Sequence, residues 1–155
     1  NLFIHSSNNI LPIDCSLSLS GKLTADLLIE AIQDLRKLCW REAGVNRSAR
    51  GMQVALTSIR KDIEIINSQP LLKFIKNQSK DICNCFEEVS RRDLNLLLDL
   101  SNRQLASALM LEACLFRCES RGGHFRTDVP RSVPFWECHS RQMFGEGIST
   151  RPVKI

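Results

Sequence analysis

The chain has 155 residues, 43% of them hydrophobic and 25% charged, with a formal net charge of +4, which suits one soluble domain with a core of its own. A charge this mild, without a dense basic block and with few aromatics for base stacking, argues against nucleic acid as a partner. No apolar run approaches the roughly 20 residues that cross a bilayer, and none of the start, Asn1-Leu2-Phe3-Ile4-His5, has the basic flank of a secretory leader.

Residues 1–22 are polar and broken, with Ser6-Ser7-Asn8-Asn9, Pro12, serines alternating with Leu17 and Leu19, and Gly21. They read as a linker or tail, with Leu17 and Leu19 in a short extended piece. The chain does not begin with Met, and is read as a processed product or an excised piece of something longer. Thr24 is suited to cap a helix whose start Asp26 favours through the macrodipole. Leu28, Ala31, Ile32, Leu35, Leu38 and Cys39 then recur at helical spacing to about Ala43, and Gly44 fits the stop. Ser48 caps a second helix with Met52, Ala55, Leu56, Ile59, Ile63 and Ile66 as its apolar stripe. Arg60, Lys61 and Glu64 lie on the opposite face, and Ser68-Gln69-Pro70 ends the helix. The short link between two helices of this length predicts an antiparallel hairpin.

Leu71, Leu72, Phe74 and Ile75 predict a short helix, and Ile82 to Val89 another turn or two. A third long helix is expected from about Arg92 to Glu119. Leu94, Leu97, Leu98, Leu105, Ala108, Leu109, Leu115 and Phe116 form its broad apolar face, widened by Leu96, Leu100, Leu111 and Cys114. A helix this apolar is covered on most sides. The expected fold is therefore all-α: a spectrin-repeat-like, antiparallel three-helix bundle over residues 23–130, followed by an irregular extension over 131–155. Glu112 falls inside the apolar face. A carboxylate there needs a cation or hydrogen-bond donors, and Arg47 in the first interhelical link is the expected partner of a buried ion pair.

Glu119-Ser120-Arg121-Gly122-Gly123-His124-Phe125-Arg126-Thr127-Asp128-Val129-Pro130 concentrates charge and backbone freedom at the end of this helix. Three kinds of site chemistry argue poorly for it. Cys114, Cys118, His124, Cys138 and His139 share one region, but none has the paired spacing of a structural zinc site, and no metal site is expected. No cysteine is singled out with a base. Arg121-Gly122-Gly123 is not a P-loop, and no glycine fingerprint follows a strand. The seven cysteines read as reduced thiols in an intracellular compartment. What remains is a contact surface: Arg121 and Arg126 suit bidentate pairing with carboxylates, and Glu119, Ser120, Arg121, His124 and Arg126 are the expected interdomain contacts.

Glu119-Ser120-Arg121-Gly122-Gly123-His124-x-Arg126-x-Asp128-x-Pro130, with Trp136 and His139 after it, resembles the C-terminal domain of the succinate dehydrogenase, fumarate reductase and L-aspartate oxidase flavoproteins. Trp40-Arg41-x-x-Gly44-Val45-x-Arg47-Ser48 and Gly51-Met52 are similar to that family's first-hairpin motif. Ala49-Arg50 stand where an acidic pair is expected, and Arg131-Ser132-Val133-Pro134-Phe135 where the dehydrogenase branch carries Arg-Asp-Asp before the tryptophan. Within the family the short tail and Trp40 look like the L-aspartate oxidase branch, with the succinate dehydrogenase or fumarate reductase flavoprotein as the alternative. A stand-alone helical interaction module is the reading that needs no enzymatic parent. The resemblance implies a cytoplasmic parent enzyme (plastid in a plant) that carries FAD and oxidises L-aspartate to iminoaspartate at the start of NAD biosynthesis. It implies the FAD-binding and capping domains of the same chain as partners, with residues 1–22 leading from them, and quinolinate synthase as a further partner. It carries no catalytic or cofactor-binding residue onto this chain, which is expected neither to hold FAD nor to turn over aspartate alone.

Overall fold

A computed structural model describes residues 24–77, 90–143 and 145–153. The protein is mostly helical: α1 (Ala25–Ala43), α2 (Ala49–Asn67), α3 (Pro70–Asn77) and α4 (Arg91–Phe116). Two-residue strands β1 (Asn46–Arg47) and β2 (Phe125–Arg126) pair in parallel, and β3 (Cys138–Arg141) pairs antiparallel with β4 (Ser149–Pro152). The readings for Leu17 and Leu19 and for Ile82 to Val89 lie outside the described residues.

The helix starts follow from their caps. Thr24 Oγ1 accepts from the Leu27 amide at 3.3 Å, and Ser48 Oγ from the Gly51 amide at 3.2 Å. Each satisfies one of the donors that a helix N-terminus leaves unpaired. At the end of α1, a Cβ on Gly44 would stand 2.3 Å from the Trp40 carbonyl oxygen, a backbone atom that cannot swing aside. Gly44→Ala is therefore expected to cost about 1–3 kcal/mol of stability, read from the urea midpoint, although alanine is ordinarily the better helix former.

Helices α1, α2 and α4 pack on one another, and α3 on α2. One core joins Leu28 and Leu35 of α1, Met52, Ala55, Leu56, Ile59 and Ile66 of α2, Leu71 and Leu72 of α3, and Leu97, Leu100, Ala108 and Leu111 of α4. The stripes expected for α1 and α2 supply their core residues. On α4 the buried face is turned from the expected one: it runs Leu97, Leu100, Gln104, Ala108 and Leu111, while Leu105 and Leu109 are exposed. Leucines stand on several sides of this helix, so periodicity did not discriminate between its faces. Helix α4 also ends at Phe116, short of Glu119.

Two further expectations are corrected. Glu112 Oε1 pairs with Arg60 Nη2 at 2.7 Å, and its other oxygen faces Gln142 Nε2 at 3.4 Å. Arg60 reaches it across the α2–α4 contact, whereas Arg47 is drawn to backbone carbonyls nearer its own stem. Because Arg60 is exposed and Glu112 only partly covered, this is a solvated pair worth at most about 1 kcal/mol, not a buried one. Cys138, His139 and Ser140, expected in a loop, lie in the β3–β4 hairpin.

Candidate functional site

The 117–139 region folds back on the end of α4 and ties it to the α1–α2 link. Its turn is Arg121-Gly122-Gly123-His124, closed by Arg121 N–H to His124 O at 2.8 Å and His124 N–H to Arg121 O at 3.0 Å. Gly122 has φ +54°, the positive value that the first central position of a type II′ turn demands and that glycine adopts without strain. The turn sends the chain into β2, whose Phe125 and Arg126 lie against Asn46 and Arg47 of β1. The Thr127 amide then donates to Arg47 O at 2.8 Å. The two sequence motifs, far apart in the chain, are thus one structure.

Glu119 is 0% exposed. Its Oε1 accepts from Arg117 Nη1 and from Arg121 Nε at 3.0 Å, and its Oε2 from the Val133 amide at 3.0 Å. Burial by itself would raise this carboxyl, but hydrogen bonds from Arg121, Val133 and Arg117 outweigh it and hold the pKa at about 2. Arg117 is the hub. It also donates to Trp136 O at 2.9 Å and to Cys138 O, and its guanidinium lies 5.6 Å from the centre of the Trp136 ring. Trp136 in turn packs edge-on to Phe116 at 5.3 Å, so α4 and the C-terminal segment share one joint.

Arg126 is 4% exposed. It grips Asp128 through Nη2 at 2.5 Å and Nε at 3.2 Å, and Nη1 donates to Leu115 O at 3.2 Å and Arg117 O at 3.1 Å. Those carbonyls are among the orphans of the α4 C-terminus. Asp128 Oδ1 also accepts from the Ala49 amide at 3.2 Å. It supplies from a distance the carboxylate that the first turn of α2, which has no acid of its own, lacks. Ser120 Oγ donates to Val129 O at 2.6 Å and accepts from the Arg126 amide at 2.8 Å. His124 Nε2 lies 3.1 Å from Arg117 O and Nδ1 3.4 Å from Arg47 Nη1. Nε2 carrying the proton satisfies both contacts. Burial, with Arg47, Arg126 and Arg117 nearby, pushes this imidazole below its ordinary pKa, against the hydrogen bond to Arg117 O that raises it. Arg47 completes the web through Gly44 O at 2.7 Å, Gly123 O at 3.2 Å and Cys114 Sγ at 3.3 Å.

The residues singled out from sequence therefore come together, but with different tasks. Glu119 and Arg126 are enclosed by this chain's own groups and have no surface left for another body. Arg121 is 40% exposed and lines a shallow cleft of about 560 Å³ with Arg117, His124, Trp136, Glu137 and His139. The hub, Arg117, and the α2 cap, Asp128, were not foreseen. Nothing local to Arg117 marks it as a hub, and nothing local to Asp128 marks its reach to Ala49. Among the described residues no group of three or more histidine, cysteine or acidic side chains is placed to hold a metal ion, and no helix is long and apolar enough to cross a membrane.

The sequence profile of the fumarate reductase flavoprotein C-terminus matches residues 32–154. The chain belongs to that family. The flavoprotein C-terminal match covers both motif segments and the joint between them. Relatives include the L-aspartate oxidases of Nostoc sp., 32% identical over 70% of this chain and 19% of its own length, and of Synechocystis sp., 30% identical over 69% of this chain and 20% of its own. An uncharacterised FAD-dependent oxidoreductase of Methanocaldococcus jannaschii is 31% identical over 77% of this chain and 18% of its own length. The flavoprotein C-terminal chain thus spans about a fifth of the length of these relatives. No solved structure matches it at a significant level.

Proposed function

We propose that this chain is the C-terminal helical domain of an FAD-dependent L-aspartate oxidase, acting as an interdomain scaffold with no catalysis of its own. The observation that carries this is the match to two L-aspartate oxidases over about 70% of the chain but only about a fifth of theirs. The charged web supports a scaffold: its buried groups satisfy one another, so little is left over for chemistry. The described residues hold no glycine turn between a strand and a helix of the kind that receives a dinucleotide. In this reading FAD and the reacting groups belong to the remainder of the parent, which would supply hydride transfer from aspartate to the flavin.

The finer architecture is part of the same proposal. Helices α1, α2 and α4 form an antiparallel three-helix bundle over residues 23–130. Residues 1–22 are the link from the flavin-binding body, and residues 131–155 an extension. Of the expected interdomain contacts, Arg121 and the exposed rim beside it, Glu137 and His139, face the FAD-binding and capping domains. Quinolinate synthase, which consumes iminoaspartate, is the proposed external partner, and the cytoplasm (or the plastid) the compartment.

A second reading, a fumarate reductase or succinate dehydrogenase flavoprotein, is favoured by the description of the matching family. The full-length parent should reduce its flavin with L-aspartate and not with succinate, followed by bleaching of the flavin absorbance. Reduction by succinate alone would exchange the first reading for the second.

A further inference from the structure

We infer that the exposed face of the C-terminal half of α4 is a docking surface for the remainder of the longer flavoprotein, an inference that rests on the scaffold reading above. From Leu105 to Phe116 the helix reads Leu-Ala-Ser-Ala-Leu-Met-Leu-Glu-Ala-Cys-Leu-Phe. Its sole charge, Glu112, is already taken by Arg60. A helix that is apolar on every side is a helix covered on every side. Ala108 and Leu111 of this stretch lie in the core and Cys114 and Leu115 pack against it, yet Leu105 is 55% exposed and Leu109 and Met110 are each 41% exposed. Leu105 and Leu109 are one helical turn apart, and Met110 adjoins them, so the three form one patch, with Ala106 exposed beside it. Scattered apolar side chains need no explanation; a contiguous patch on the most apolar segment of the chain does.

The size of the patch decides its occupant. Three side chains, each about half covered already, offer far less than the roughly 800 Å² per partner of a stable association between separate molecules. A second copy of this chain would also bear the loss of translational and rotational freedom. A body on the same polypeptide does not, because its effective concentration is set by the linker. The relatives extend well beyond the matched segment, which is about a fifth of their length. The occupant is therefore an apolar face of that remaining part, meeting α4 as a packed interface with no requirement for paired charge.

The test compares this chain alone with the full-length parent. Leu105→Lys, Leu109→Lys and Met110→Lys are combined, since lysine is helix-compatible and soluble. Unfolding is followed by tryptophan fluorescence, which does not depend on flavin. The midpoint should fall by about 5 °C or more in the parent and stay unchanged in the chain alone. Leu109→Cys, a mild change, should react with a maleimide at least about tenfold more slowly in the parent than in the chain alone, read at that peptide by mass spectrometry. Equal destabilisation of both proteins would put the cover within this chain. A dimer of the chain alone that the lysines dissolve would make it a second copy. No change in either protein, or equal labelling of Cys at position 109, would remove the docking surface altogether. A parent that oxidises succinate instead of aspartate would change the proposed substrate and leave these outcomes as they are.

Discussion

Glu119→Gln will destabilise this chain by about 3 kcal/mol at pH 7, measured as a drop in urea midpoint at unchanged slope. The substitution keeps size and shape but removes the charge that Arg117 and Arg121 both face. Arg117 is then left largely buried against Trp136 with carbonyl oxygens alone, and the Val133 amide meets a weaker acceptor. The dependence on pH gives an independent check. A carboxyl held at about 2 in the folded protein against 4.5 unfolded contributes its stabilisation in full above about pH 4.5 and loses it as the pH falls towards 2. That difference is worth about 3 kcal/mol. Wild-type stability should fall through this window more steeply than that of Glu119→Gln. Parallel acid profiles would mean that the buried carboxylate is not what anchors the joint. Arg121→Ala should cost the chain alone much less than Glu119→Gln, since Arg121 is partly solvated and Arg117 still holds Glu119; under the scaffold proposal its larger effect is expected in the full-length parent.

The parts legible in the sequence are those with local causes. Thr24, Gly44, Ser48 and Pro70 mark helix ends because capping and backbone restriction act within a few residues, and α1, α2 and α3 lie where these signals put them. The end of α4 is different. No breaker stands at Arg117, Cys118 or Glu119, and what stops the helix is tertiary: Arg126 and His124 take the carbonyl of Arg117, and Arg117 itself turns to Glu119. The β3–β4 hairpin was missed for a related reason. Its residues are almost all exposed, so no alternation of apolar and polar side chains announced a strand.

The candidate site divides along the same line. Its membership was legible, because so many charges beside a Gly-Gly pair need partners. The pairings were not. Periodicity put Glu112 in an apolar face and Arg47 nearby in the link, but a guanidinium goes to whichever acceptors its backbone brings within reach. The parallel β1–β2 pairing sets Arg47 beside Gly123 and His124, and leaves Glu112 to Arg60. The departure at Ala49-Arg50 became intelligible only through the same contact, because Asp128 brings to the start of α2 a carboxylate that the local sequence lacks.

Arg126→Met will cost about 3–5 kcal/mol, as expected when one partner of a buried charged group is removed and the other stays. Arg126 satisfies two carbonyls at the negative end of α4, and it orients Asp128, whose carboxylate serves the positive end of α2. One guanidinium thus completes two helix termini of opposite sign, each a site where a matching charge stabilises. Arg126→Lys should recover only part of the loss, because an ammonium keeps the charge but cannot fork to Asp128 while donating to both carbonyls. Asp128→Asn should cost less than Arg126→Met, since it weakens the α2 cap and the charge pairing of the buried guanidinium but leaves the bonds of that guanidinium to Leu115 O and Arg117 O in place. The two positions should couple in a double-mutant cycle by about 1–3 kcal/mol. Additive losses would show that the α4 and α2 termini are secured separately. A coupled loss means that the 119–130 segment is the clasp through which the first interhelical link and the last long helix are held in one register.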